Sequence, residues 1–288
     1  MTTTTQTSHS AEHEVAAQPD GRAASESVFK NILCAVDGTR SSTTAVRMAA
    51  GLAGPNGHLT LLAVTAVSGS RPYATAAISP ARARHLLTRA RHVAETAGVP
   101  ASTIVDPGSP PVKVILERAS EYDLLAIGAP ATSWLGGMLV GGVTDAALGQ
   151  FGTPMLIVRR SSTGSSGRIV VASDGEEGSN RIVELAGRLG QSRREHVTLV
   201  NALVGESKMN PRAIQAQARA LRQMLPDTGE PHIEPGKAWD VILDAARNTK
   251  ADLIVMGSRR LDGLRALGSI SRRVVHEAPC SVLVLPPA

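Results

Sequence analysis

Two Asp-Gly pairs stand in matching places: Asp37-Gly38 ends the short apolar run Ile32 to Val36, and Asp174-Gly175 ends the corresponding stretch Arg168 to Ser173. A carboxylate at the end of such a run can accept hydrogen bonds from an adenine amino group or a ribose hydroxyl. It can equally serve as a turn residue and helix cap. A second pattern lies in the glycine-rich stretch from Gly257 to Ser271, which holds Arg259, Arg260, Gly263, Gly268, Ser269 and Ile270. Glycines let backbone N–H groups approach an anion, and a helix that follows presents its positive N-terminus. Ser269 and Ser271 are candidate donors to phosphate oxygens, and the two arginines are nearby cations. The same stretch also reads as a turn before a Ser-capped helix.

Other chemistries lack their signatures. There is no Gly-x4-Gly-Lys-Ser/Thr loop, no Gly-x-Ser-x-Gly elbow and no His-Glu-x-x-His. The eight histidines show no metal-ligand spacing. His276 is expected at the surface or in the last turn of a helix. Cys34 lies in an apolar run and is expected as a small core hydrophobe, whereas Cys280, before the last strand, is expected to be partly accessible. Trp134 and Trp239 are expected as packing anchors.

The elements that would carry these residues follow from apolar spacing. Ile32 to Val36 reads as a strand, Ser41 to Leu52 as a helix and His58 to Val67 as a second strand. Ser79 to Gly98 reads as a long Arg- and Ala-rich amphipathic helix with a solvated basic face. Ser102 to Val105 is a third strand, Pro111 to Tyr122 a helix and Asp123 to Gly128 a fourth strand. A glycine-rich loop, a helix from about Val143 to Gln150 and a strand from Met155 to Val158 complete the series. Strands apolar on both faces and alternating with helices predict an α/β fold, a doubly wound parallel sheet.

The pattern then repeats. Arg168 to Gly175 restates Ile32 to Gly38, and His196 to Leu203 restates the second strand. Asp252 to Gly257 restates Asp123 to Gly128, and Ser281 to Val284 restates the fifth strand. One unit used twice predicts a tail over 1–28, domains over 29–160 and 168–288, and a Ser/Gly-rich linker over 161–167.

On these residues the chain resembles the universal stress protein family in its tandem two-domain form. The resemblance implies two Rossmann-like domains of the adenine nucleotide alpha hydrolase-like type, paired through their fifth strands as an intramolecular pseudo-dimer. It implies an ATP signature of Gly-x2-Gly-x9-Gly-Ser/Thr after the fourth strand, with an Asp at the end of the first. Carried over, the nucleotide contacts in the first half are Asp37, Val64, Gly128, Gly141 and Gly142. There the middle glycine is Ala131 and the hydroxyl position is Gly142. In the second half they are Asp174, Met256, Gly257, Arg259, Arg260, Gly268, Ser269 and Ile270. There Arg260 stands for the middle glycine and the following spacer is two residues short. ATP, alone or with magnesium, is the implied cofactor, and the second half is the better match.

Composition bounds the rest. The chain has 288 residues, a net charge of +5 and only two Trp, two Tyr and two Phe. So few aromatics disfavour stacking platforms for single-stranded nucleic acid. Residues 1–28 carry a net charge of −3, and the basic pairs of the remainder are spread along the sequence. Nucleic acid is therefore not expected as a partner. No apolar run reaches the ~18 residues of a membrane helix, no signal peptide is apparent, and a cytoplasmic location is expected. The leading expectation is a stress-response module that binds adenine nucleotide, with an unidentified protein partner and a homodimer as a further state. The alternatives are an interaction module of the same fold that binds no nucleotide, and a slow ATPase or self-phosphorylating protein using Ser269 or Ser271. No general base is evident for the last.

Overall fold

The computed structural model describes residues 27–65, 78–108, 110–129, 147, 152–159, 166–203, 211–258 and 268–287. In the first half these form β1 (Asn31–Ala35), α1 (Arg40–Ala53), β2 (His58–Val64), α2 (Pro80–Thr96), β3 (Ala101–Asp106), α3 (Pro111–Ala119), β4 (Leu124–Gly128) and β5 (Met155–Val158). The second half contributes β6 (Arg168–Ala172), α4 (Asn180–Arg193), β7 (His196–Leu203), α5 (Pro211–Met224) and β8 (His232–Pro235). It ends with α6 (Ala238–Thr249), β9 (Leu253–Gly257), α7 (Ser269–Glu277) and β10 (Ser281–Leu285).

All ten strands join one sheet in the order β3-β2-β1-β4-β5-β10-β9-β6-β7-β8. Every pairing is parallel except β5 with β10. Leu156 pairs with Leu283 at the centre of that antiparallel junction. These two residues hold the same place in the two sequence repeats, so a pseudo-two-fold axis passes between them. Both junction strands are buried throughout, as strands covered on two faces must be.

Alternate strand residues feed two cores. One packs the sheet against α1, α2, α4 and α5. The other lies on the opposite side, under α3, α6 and α7. Helix starts follow local chemistry. Thr39 caps α1, its Oγ1 accepting from the Ser42 amide at 3.1 Å, and Ser79 caps α2 ahead of Pro80. Phe29 and Ser27 are already buried, Ser27 against Gly54.

In the first half the observed elements differ from the sequence expectations mainly at their ends, whereas α4 and α5 of the second half carried no expectation of their own. β8 had no expectation at all: His-Ile-Glu-Pro lacks an apolar run and exists through its pairing with β7. The expected 143–150 helix lies outside the described residues except for Ala147, which is helical and fully buried. Cys280 corrects an expectation: it is 3 % exposed, enclosed by the α6–α7 core. Burial pushes both its thiol and that of Cys34 up to about 12, so neither is a thiolate at neutral pH. No described helix is long and apolar enough to cross a membrane.

Candidate functional site

In the first half β1 lies between β2 and β4, so Asp37, Val64 and Gly128 gather at the carboxyl ends of three adjacent parallel strands. Such ends are where open α/β sheets bind ligands. Asp37 is exposed, and its Oδ1 accepts from the Thr39 amide at 2.8 Å and the Thr39 hydroxyl at 2.7 Å. The carboxylate therefore shapes the turn that starts α1. Gly38 holds φ at +83°, under the Leu86 side chain. Gly128 runs against the first turn of α1: a Cβ there would lie 2.4 Å from the Ser41 carbonyl carbon and from the Ser42 nitrogen. Val64 is half-buried on the α3 side of β2. Gly141 and Gly142, with Ala131 and Trp134, lie outside the described residues.

The second half repeats the placement with different chemistry. Asp174 follows β6, and its Oδ1 accepts from the Glu176 amide at 3.0 Å and the Ser179 hydroxyl at 2.6 Å. Met256 is buried and Gly257 ends β9, the neighbour of β6. Gly268 caps α7 without a side-chain bond, Ser269 is exposed at its first position and Ile270 is half-buried. The first amides of α7 have no intrahelical acceptor by helix geometry. Ser271 is not the expected phosphate donor: it is buried and its hydroxyl donates to the Gly257 carbonyl at 3.0 Å. That bond fastens the start of α7 to the end of β9. Arg259 and Arg260 lie outside the described residues.

Beneath the Asp174 turn sits a polar cluster that the sequence reading did not find. Ser173 donates to Gln217 Oε1 at 2.6 Å and accepts from the Gly175 amide at 3.0 Å. Gln217 donates to Asn180 Oδ1 at 2.8 Å. Asn201 donates to the Ser173 carbonyl at 2.8 Å, while its own Oδ1 is buried without a partner. In the first repeat Val36 stands for Ser173, and the strand register puts Ala63 in the place of Asn201. Polar residues at positions that are apolar in the other copy were the available signal.

A separate open cleft of ≈ 460 Å³ lies between β3 and α3. Arg118 donates to Asp106 Oδ2 through Nε at 2.8 Å and Nη2 at 2.5 Å. The Arg118 hydrogen bond holds the Asp106 carboxyl below its ordinary pKa; the Gly108 amide assists and burial opposes. Lys113 pairs with Glu117 at 3.7 Å. The charges in this cleft are thus largely matched, and none of the motif residues lines it.

The sequence model of the Universal stress protein family matches residues 29–159 and again 166–286. The chain belongs to the universal stress protein family. A universal stress protein of Synechocystis, Sll1388, is 30 % identical over 149 residues, covering 41 % of this chain and 97 % of its own. Another, encoded in the QAH/OAS sulfhydrylase 3′ region of Thermus aquaticus, is 32 % identical over 132 residues, covering 41 % and 96 %. The crystal structure of a universal stress protein from Archaeoglobus fulgidus superposes with a TM-score of 0.73 at 20 % identity, covering 91 % of this chain and 97 % of that one. At that identity the likeness shows the fold: parallel α/β units in tandem. The universal stress protein fold thus spans both halves, with Asp37 and Asp174 at matching places.

Proposed function

We propose that this universal stress protein is an adenine-nucleotide-binding regulatory module of the stress response, with ATP held in the second half. One observation carries the reading. Asp174, Gly257 and the Gly268-Ser269-Ile270 start of α7 converge at the carboxyl ends of adjacent strands β6 and β9, where the Ser271–Gly257 bond fixes α7. The exposed Ser269 hydroxyl and the α7 amides offer donors to phosphate, and Asp174 offers an acceptor to ribose or adenine. Arg259 and Arg260, between β9 and α7 in the sequence, are the cations this reading adds. Among the described residues no cluster of three His, Cys, Asp or Glu side chains could hold a metal ion. Magnesium, when it accompanies the nucleotide, would be held mainly by the ATP phosphates.

The test is a melting-temperature titration. ATP binding to the folded state alone stabilises it by roughly 2.7 kcal/mol at a hundredfold excess over Kd. Asp174→Ala and Ser269→Ala should each abolish most of the shift, and Asp37→Ala should leave it nearly intact. No shift with either ATP or AMP at millimolar concentration sinks the reading. The interaction-module alternative then stands, favoured by the local hydrogen bonds that both aspartates already accept.

A further inference from the structure

The arginines that are scattered along the sequence are not scattered in space. Helices α1, α2, α4 and α5 cover one face of the sheet and carry twelve Arg and two Glu, with no Lys or Asp. The described helices on the opposite face, α3, α6 and α7, carry five basic and four acidic residues. Formal helix charge is therefore +10 on one side and +1 on the other, within a chain of net charge +5. Ten of the twelve arginines are exposed, among them Arg91, which pairs with Glu95 at 3.5 Å, and Arg181, which donates to the Pro286 carbonyl; the other two, Arg193 and Arg222, are paired with Glu195 and Glu230. The flanking acids Asp37, Asp174, Glu176, Asp227 and Glu230 sit in the turns at helix ends, and Glu177 opens the short 3-10 helix Glu177–Ser179 ahead of α4, so none lies on the four helices.

The rest of this face says what kind of polyanion it fits. Its other exposed side chains are chiefly Thr, His, Gln, Asn and Ala. None of the four helices exposes a Val, Leu, Ile, Met or aromatic residue. Protein interfaces rely on buried aromatic and apolar anchors, which are missing. Single strands rely on stacking platforms, also missing. Arg, Thr, Gln and Asn are the residues that bind phosphate backbones. The α1–α2 and α4–α5 pairs each pack closely and flank the β5–β10 junction on one face; the ten strands beneath them, at roughly 4.8 Å each, are about 43 Å wide, on the scale of the ~34–36 Å of one duplex turn. The pseudo-two-fold axis between Leu156 and Leu283 relates α1 and α2 to α4 and α5. A duplex, whose strands are themselves related by local two-fold axes, can meet both halves alike; a single polypeptide or nucleic-acid strand, which runs in one direction, cannot.

We infer that the α1–α2–α4–α5 face binds the phosphate backbone of duplex DNA without reading sequence. This stands apart from the nucleotide site. The experiment is fluorescence anisotropy of the full chain with a labelled mixed-sequence duplex of about 20 base pairs and a scrambled duplex of equal length. Both should bind equally. Engagement of about six phosphates should weaken binding about a thousandfold between ~50 and ~200 mM salt. The combined variant Arg82→Glu, Arg89→Glu, Arg212→Glu, Arg219→Glu changes exposed positions only. With melting temperature unchanged it should bind at least ~100-fold more weakly and lower the salt slope by about four. Lys113→Glu with Arg247→Glu, on the other face, should bind as wild type. The inference is overturned if no duplex binds at ~50 mM salt, or if the four-site variant folds and binds undiminished. It is also overturned if the two variants lose equally, or if polyglutamate or linear polyphosphate binds more tightly than duplex.

Discussion

Gly128 illustrates how a motif residue can be accounted for by packing before any ligand is considered. A methyl there meets peptide backbone of α1 at 2.4 Å, whereas one at Gly257 meets the mobile end of the Ile182 side chain at 2.5 Å. Backbone held by a helix cannot yield; a side-chain terminus can rotate. Gly128→Ala should therefore cost about 3 kcal/mol and Gly257→Ala about 1 kcal/mol or less, measured by urea unfolding. Equal losses would mean that α1 moves as easily as Ile182. Asp37 and Asp174 teach the same caution, since each accepts two bonds from its own turn. Their types and spacing were legible in the sequence. Ser271 was not, because its commitment to Gly257 depends on where α7 lands.

At the scale of elements, α3 is held to the end of β3 by the Arg118–Asp106 pair. Arg118 is 37 % and Asp106 16 % exposed, so water screens part of the interaction. Because the folded carboxyl has a lowered pKa, its contribution is present above about pH 4, the unfolded value, and fades as pH falls through the folded one. Asp106→Asn should cost about 1 kcal/mol at pH 7. The difference from wild type should shrink below about pH 4; a constant difference in urea midpoints across that range would refute the linkage. The buried strands announced themselves by their apolar runs. β8 did not, because an edge strand on a polar rim needs only pairing to β7 and is safer short, charged and Pro-ended.

Across the whole molecule, the two halves are joined by more than β5 and β10. Arg159, just past β5, donates to the carbonyls of Val275 and His276 in the last turn of α7. Burial lowers its pKa, yet its two acceptors belong to a helix end that favours cations. Arg159→Ala should leave those carbonyls short of a donor and cost about 2 kcal/mol. Arg159→Lys should recover only part, since an ammonium lacks the planar fork. Differential scanning calorimetry checks both, and an unchanged Arg159→Ala transition would show that water replaces the guanidinium. The Ser281 hydroxyl, 3.1 Å from Met48 Sδ in α1, is a second such link.

The sequence alone determined the α/β class, the duplication and the two Asp-Gly turns, because these rest on short-range periodicity and local turn chemistry. It could not determine where the charge would collect. Arginines far apart in the chain share a face only because the antiparallel β5–β10 junction sets the repeats about a two-fold axis, and that places α1, α2, α4 and α5 on the same side of the sheet. The polar cluster under Asp174 and the burial of Cys280 likewise depend on contacts between segments that only the closed sheet brings together.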